Sequence, residues 1–171
     1  MYDRTEARSR IECFTQFIRN KLSLLSPVDM LQVCHDLGVV CKKVSDVDYD
    51  AMITYDNNLR SVSINYNTDR IPERIQFSVA HELGHLFLHM LQKDGSINEY
   101  REYYRRNGDA NRIEYEANEF AASLLMPRDE FLSACMKHLD NNNNVDLEKV
   151  AKHFNVSRQA ASVRGSVLDV W

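Results

Sequence analysis

The hydrophobic pattern changes period along the chain. From about Glu6 to Leu22, Ile11, Phe14, Phe17, Ile18 and Leu22 recur every three or four residues, which predicts an amphipathic helix. Ser26-Pro27-Val28-Asp29 is a second helix start, with a capping serine, proline in the first turn and an early acid; Gly38 marks the end. The period then falls to two. Val39 to Val44, Ala51 to Tyr55 and Arg60 to Tyr66 predict short strands, with Asp56-Asn57-Asn58 turning between the last two. In the third, Val62 and Ile64 point inward. Helical spacing returns at Thr68-Asp69-Arg70-Ile71-Pro72, which opens a helix to about Leu91, and again over Arg112 to Met126. A further helix runs from Pro127 to near His138. Gln92 to Asn111 is a polar connection. The four asparagines Asn141 to Asn144 form a hinge, dividing residues 1–140 from a C-terminal segment, 141–171, expected to pack on them. That segment reads as helix-turn-helix: Leu147, Val150, Ala151 and Phe154, then Asn155-Val156-Ser157, then Ala160, Ala161 and Val163. The expected class is α+β, with helices around a small antiparallel sheet.

Composition narrows this only modestly. At 171 residues the chain suits one domain with a sizeable core. A formal charge of −4 argues against a generally basic nucleic-acid surface. Val145 to Trp171 carries four basic and three acidic residues, less positive charge than DNA contact demands. Packing on the rest of the chain, or docking a protein, is the expected role of these helices, and no direct nucleic-acid contact is expected. Cys13, Cys34, Cys41 and Cys135 are scattered without a C-x-x-C pair, as in reduced, buried thiols of a cytoplasmic protein. The N-terminus lacks the apolar run of a signal peptide, and no stretch is long and apolar enough to span a membrane.

The chemistry sits in the first of the later helices. His81-Glu82-Leu83-Gly84-His85 reads H-E-x-x-H within an apolar run. Two histidines four apart stack on one helix face, so both imidazoles reach one metal ion. Glu82 falls about 100° round the helix, near the metal without displacing a ligand, and can take a proton from a metal-activated water. Buried imidazoles and a carboxylate without partners are costly, and a metal removes that cost. Gly84 loses about 1 kcal/mol against alanine in a helix interior, so close approach by a neighbouring element is expected there.

A catalytic zinc needs a third protein ligand. His89 lies about 12 Å from His81 along a straight helix, too far to share the ion, and is expected to be structural or part of a pocket wall. The better candidate is Glu114. On a helical wheel Ala117, Phe120, Ala121, Leu124 and Leu125 make one apolar face, with Glu114 and Asn118 stacked at its edge and Glu116 and Glu119 turned to solvent. Ala117 and Ala121 are small enough for a second helix to come close. If that helix carries His81 and His85, Glu114 completes a His/His/Glu site. Asn118 can then hydrogen-bond the far nitrogen of a ligand histidine.

Phe77-x-x-Ala80-His81-Glu82-Leu83-Gly84-His85, followed by Glu114-x-x-Ala117-Asn118-x-Phe120-Ala121-x-x-Leu124-Leu125-Met126-Pro127, resembles the ImmA/IrrE metallopeptidases. The resemblance implies a zincin-like fold of gluzincin type, with Zn²⁺ bound by His81, His85 and Glu114 and Glu82 as the catalytic carboxylate. It also implies a narrow substrate, a helix-turn-helix transcriptional repressor cut as an anti-repressor or stress response. In zinc peptidases an edge strand beside the active-site helix pairs with substrate backbone; the strand Arg60 to Tyr66 is the candidate, alongside a purely structural role. Tyr100, Tyr103 and Tyr104 compete as oxyanion stabilisers, and the sequence does not choose between them. The alternative function is a non-catalytic regulator that binds a transcription factor or DNA through its C-terminal helices.

Overall fold

The computed structural model describes residues 2–97 and 110–171. Helix α1 (Arg4–Leu22) starts where the Asp3 carboxylate accepts from the Thr5 and Glu6 N–H groups. Helix α2 (Met30–Asp36) starts later than the serine-proline signal suggests. Asp29 supplies the cap, accepting from Leu31 and Gln32, while the Ser26 hydroxyl donates instead to Glu130, 2.6 Å away. Three strands follow: β1 (Val40–Val44), β2 (Ala51–Asp56) and β3 (Ser61–Asn67).

The strand order is β1-β3-β2. β2 runs antiparallel to β3, with Ile53 opposite Ile64, but β1 runs parallel to β3, with Cys41 opposite Ile64. The class is α+β, and the sheet is mixed rather than wholly antiparallel. Side-chain alternation is identical for either strand direction, so the sequence pattern carries no sign of it. The order also corrects the edge-strand expectation: β3 is central, with Val62, Ile64 and Tyr66 buried, and the edge facing the H-E-x-x-H helix belongs to β2.

Helix α3 (Pro72–His85) opens with proline in its first turn and runs directly into a π-helical turn, Leu86–Met90. After it come α4 (Ala110–Leu125), α5 (Arg128–Lys137), α6 (Leu147–Phe154) and α7 (Arg158–Val167). α3 packs against β2, β3 and α4, and α4 in turn packs against α1. Ala117, Phe120, Ala121, Leu124 and Leu125 form the buried face of α4. Among the described residues no helix is long and apolar enough to cross a membrane.

Where α3 and α4 meet, Gly84 has a physical cause. A Cβ there would lie 3.1 Å from the Ala117 Cα, the Ala117 carbonyl oxygen and the Phe120 Cβ. Two of these are backbone atoms and cannot swing aside. Gly84→Ala gains about 1 kcal/mol in helix propensity but incurs an overpacking cost of about 1–3 kcal/mol. A net loss of about 1 kcal/mol in chemical denaturation is expected; a more stable variant would show that the helices spread without cost.

Glu116 and Glu119 are not on a solvent face, as the wheel suggests; both are buried. Glu116 accepts from Arg112 Nε at 2.9 Å and pairs with His89 Nε2 at 3.1 Å. Glu119 accepts from Ser123 Oγ at 3.1 Å and from Arg164 Nη1 at 2.9 Å. The wheel assumes one covered face. α4 is covered on several sides, and its acids survive there because each is paired: Glu119 with Arg164 from far along the chain, and Glu116 with Arg112 one turn back and with His89.

Candidate metal centre

The close approach of α3 and α4 brings three donor side chains together. His81 and His85, one turn apart, direct their Nε2 atoms to within 2.9 Å of each other. Glu114, near the start of α4, places Oε2 3.2 Å from His81 Nε2 and Oε1 3.5 Å from His85 Nε2. One ligand atom from each residue lies within 4.8 Å of the other two. Two imidazole lone pairs at such a separation repel unless a proton or cation lies between them. Two imidazole nitrogens and a carboxylate form a donor set suited to a borderline-soft divalent ion such as zinc, so the residues fit the group.

Protonation follows from the partners. His81 Nδ1 is 3.0 Å from Asn118 Oδ1, an acceptor, so Nδ1 carries a proton and donates there, and Nε2 is the atom turned to Glu114 and His85. Burial, reinforced by neighbouring His81, pushes His85 down to about 3, which keeps this imidazole neutral and able to ligate. Burial also acts to lower His81, but Glu114 and Glu82 outweigh it and the net shift is upward.

Glu82 stands beside the donor set without joining it. Its Oε2 accepts the Ile53 N–H at 3.0 Å, from the edge of β2. Burial pushes its carboxyl up to about 7, against the opposing pull of His81 and that hydrogen bond. A carboxyl poised near neutrality can both accept and return a proton. Nothing in the residue types announced the Ile53 contact, since a backbone donor leaves no mark in a sequence.

His81 and Glu82 line a cleft of about 450 Å³, with Asp50, Arg70 and Arg74 at its rim. Asp50 holds both arginines, at 2.8 Å from Arg70 and 2.6 Å from Arg74. A larger groove of about 760 Å³ shares Asp50, Arg74 and Asn118 with it and is bounded by α7 through Ala160 and Val163. His89 is buried behind His85, outside the three-donor set. Tyr100, Tyr103 and Tyr104, the oxyanion candidates, lie outside the described residues.

Residues 33–166 match the model of a peptidase family, M78, described as the IrrE N-terminal-like domain. Among solved structures the chain is similar to a Mycobacterium tuberculosis transcriptional regulator, with a TM-score of 0.65 at 14% identity. The match covers 94% of this chain and 50% of that one, so this chain spans about half the neighbour's length. At such identity the likeness is one of fold. No curated protein gives a significant match.

Proposed function

Because the chain belongs to the peptidase M78 family of IrrE N-terminal-like domains, we propose that it is a zinc-dependent endopeptidase that cuts a helix-turn-helix repressor at one site. The observation that carries this reading is the convergence of His81 Nε2, His85 Nε2 and the Glu114 carboxylate beside a cleft-lining Glu82. His81, His85 and Glu114 would hold the zinc ion, which would supply the Lewis acidity that hydrolysis of a peptide carbonyl needs. Glu82 takes the proton of the attacking water and returns it to the leaving amine. The Ile53 N–H orients that carboxylate from the strand beside it.

Among the described residues β2 pairs with no strand but β3, and its outer edge is where a substrate strand would add. In an antiparallel pair alternate residues face the partner strand; the Ile53 N–H faces away, and Ala51 and Tyr55 present their backbone groups to the same side. The repressor as substrate rests on the family resemblance. We also read residues 141–171 as part of the catalytic unit, packed on residues 1–140 and bordering the groove that adjoins the cleft. The DNA-binding alternative finds little free positive charge in those helices. Lys149 pairs with Asp146, Arg158 with Glu148, and buried Arg164 with Glu12 and Glu119. A gel shift at moderate salt, without cleavage of any protein, would revive that alternative. A cytoplasmic setting suits a repressor substrate.

Glu114→Ala tests the donor set directly. Zinc content by plasma mass spectrometry should fall from about one ion per chain to none retained after dialysis, because two imidazoles alone hold a catalytic zinc poorly. Unchanged content would mean that another residue is the third ligand.

A further inference from the structure

We infer that His89 is a positioning residue for the metal centre, fixing the tautomer of His85 through a one-way hydrogen-bond chain anchored on Glu116. This rests on reading His81, His85 and Glu114 as the ligands. His81 has a neutral amide, Asn118, behind its Nδ1. His85 has another imidazole there: its Nδ1 lies 3.1 Å from His89 Nδ1. Two ring nitrogens at that distance need one proton between them, and this contact alone does not say which ring owns it.

The next link decides. His89 Nε2 lies 3.1 Å from Glu116 Oε2, and Glu116 Oε1 accepts from Arg112 Nε at 2.9 Å. The Arg112 guanidinium, one turn back on the same helix, pairs with the Glu116 carboxyl and holds it ionised. An ionised carboxylate only accepts, so the proton sits on His89 Nε2. With its proton on Nε2, His89 presents its Nδ1 lone pair to His85 and accepts there, so the His85 proton sits on Nδ1. The His85 Nε2 lone pair is left facing His81 and Glu114, where a ligand atom is needed. Both ligand histidines thus carry a proton on Nδ1, by separate routes.

The local fold serves this chain. The π-helical turn over Leu86–Met90 begins immediately after His85 and carries His89, and wider turns of this kind concentrate at functional sites. His89 is buried, packed with its ring centroid 5.2 Å from that of His85. Arg112 is itself placed over the Tyr2 ring, 4.8 Å from its centroid, which ties the start of the chain to the outer end of the network. A histidine relaying between a carboxylate and a ligand histidine extends the usual carboxylate–histidine–metal arrangement by one ring.

The test reads tautomers first. Long-range ¹H–¹⁵N correlation on the metal-free wild-type protein should show His85 protonated at Nδ1 and His89 at Nε2. The reverse assignment on either ring would overturn the inference, whatever metal the protein binds. Zinc affinity follows, by competition with a chromogenic chelator. His89→Phe should bind zinc about 10–100-fold more weakly. His89→Asn, whose amide oxygen can occupy the place of Nδ1 as an acceptor, should recover most of that loss. A purely structural role predicts no such recovery, and His89→Phe binding zinc as tightly as wild type would also overturn the inference. If His89→Phe fails to fold, the wild-type spectrum and His89→Asn still decide. Wild-type protein that binds no zinc counts against the metal-site reading instead, and the tautomer assignment stands or falls separately.

Discussion

Glu82→Gln is expected to keep its zinc and lose repressor cleavage by about 10²–10⁴-fold, the usual worth of a positioned general base. The substitution is nearly isosteric, and its amide oxygen still accepts from the Ile53 N–H that now orients the carboxylate. The proposed metal donors are other side chains, so zinc content should match wild type. What disappears is the ability to take a proton. A carboxyl that burial has raised to about 7 can receive a proton and give it up near neutral pH, whereas an amide cannot. Gel densitometry of cleavage, paired with metal analysis of the same preparation, separates the two effects. Full activity in this variant would remove Glu82 from the mechanism. Zinc loss together with activity loss would make it a ligand.

The largest stability effect is expected at Arg164→Met. Arg164 is almost wholly buried, and its guanidinium is fully engaged: Nε donates to the Met126 carbonyl at 3.1 Å, Nη1 to Glu119 at 2.9 Å and Nη2 to Glu12 at 3.0 Å. It joins α7 to α4 and α1. Removing the cation leaves the Glu119 carboxylate buried with Ser123 and a distant Arg8, 3.6 Å away, as its remaining partners. Breaking a buried pair in this way costs about 3–5 kcal/mol. For a chain of this size that is a fall in Tm of roughly 6–20 °C, read by calorimetry on metal-free protein. Adding Glu119→Gln should return part of the loss, because the stranded charge goes with it. A loss below about 1 kcal/mol would mean that α7 is held by its apolar contacts alone.

Local features of the site are legible in the sequence where one helix sets the geometry. The four-residue spacing of His81 and His85 fixes a shared face, and the edge placement of Glu114 and Asn118 follows from the apolar face of α4. Gly84 signals close approach because glycine is costly in a helix, and the contact with Ala117 and Phe120 is there. The ligand role of these three donors remains the proposal set out above. What escaped the sequence depends on partners distant along the chain. Glu116 and Glu119 look like solvent-facing acids until Arg164, 45 residues beyond Glu119, arrives beside one of them and His89 beside the other. β3 looks like an edge strand because its alternation is clean, but strand order is set by where β1 lies, in parallel, on its other side. The start of α2 moved for a local reason: Asp29 caps two N–H groups while Ser26 serves Glu130.

The central claim is zinc-dependent cutting of a repressor. Its most direct test incubates the purified protein with helix-turn-helix repressors from its own genome, with Zn²⁺ and with chelator, and maps the fragments by mass spectrometry. A single zinc-dependent cut, absent with chelator, is the predicted result. An intact repressor in the presence of protein shown to carry stoichiometric zinc would contradict it.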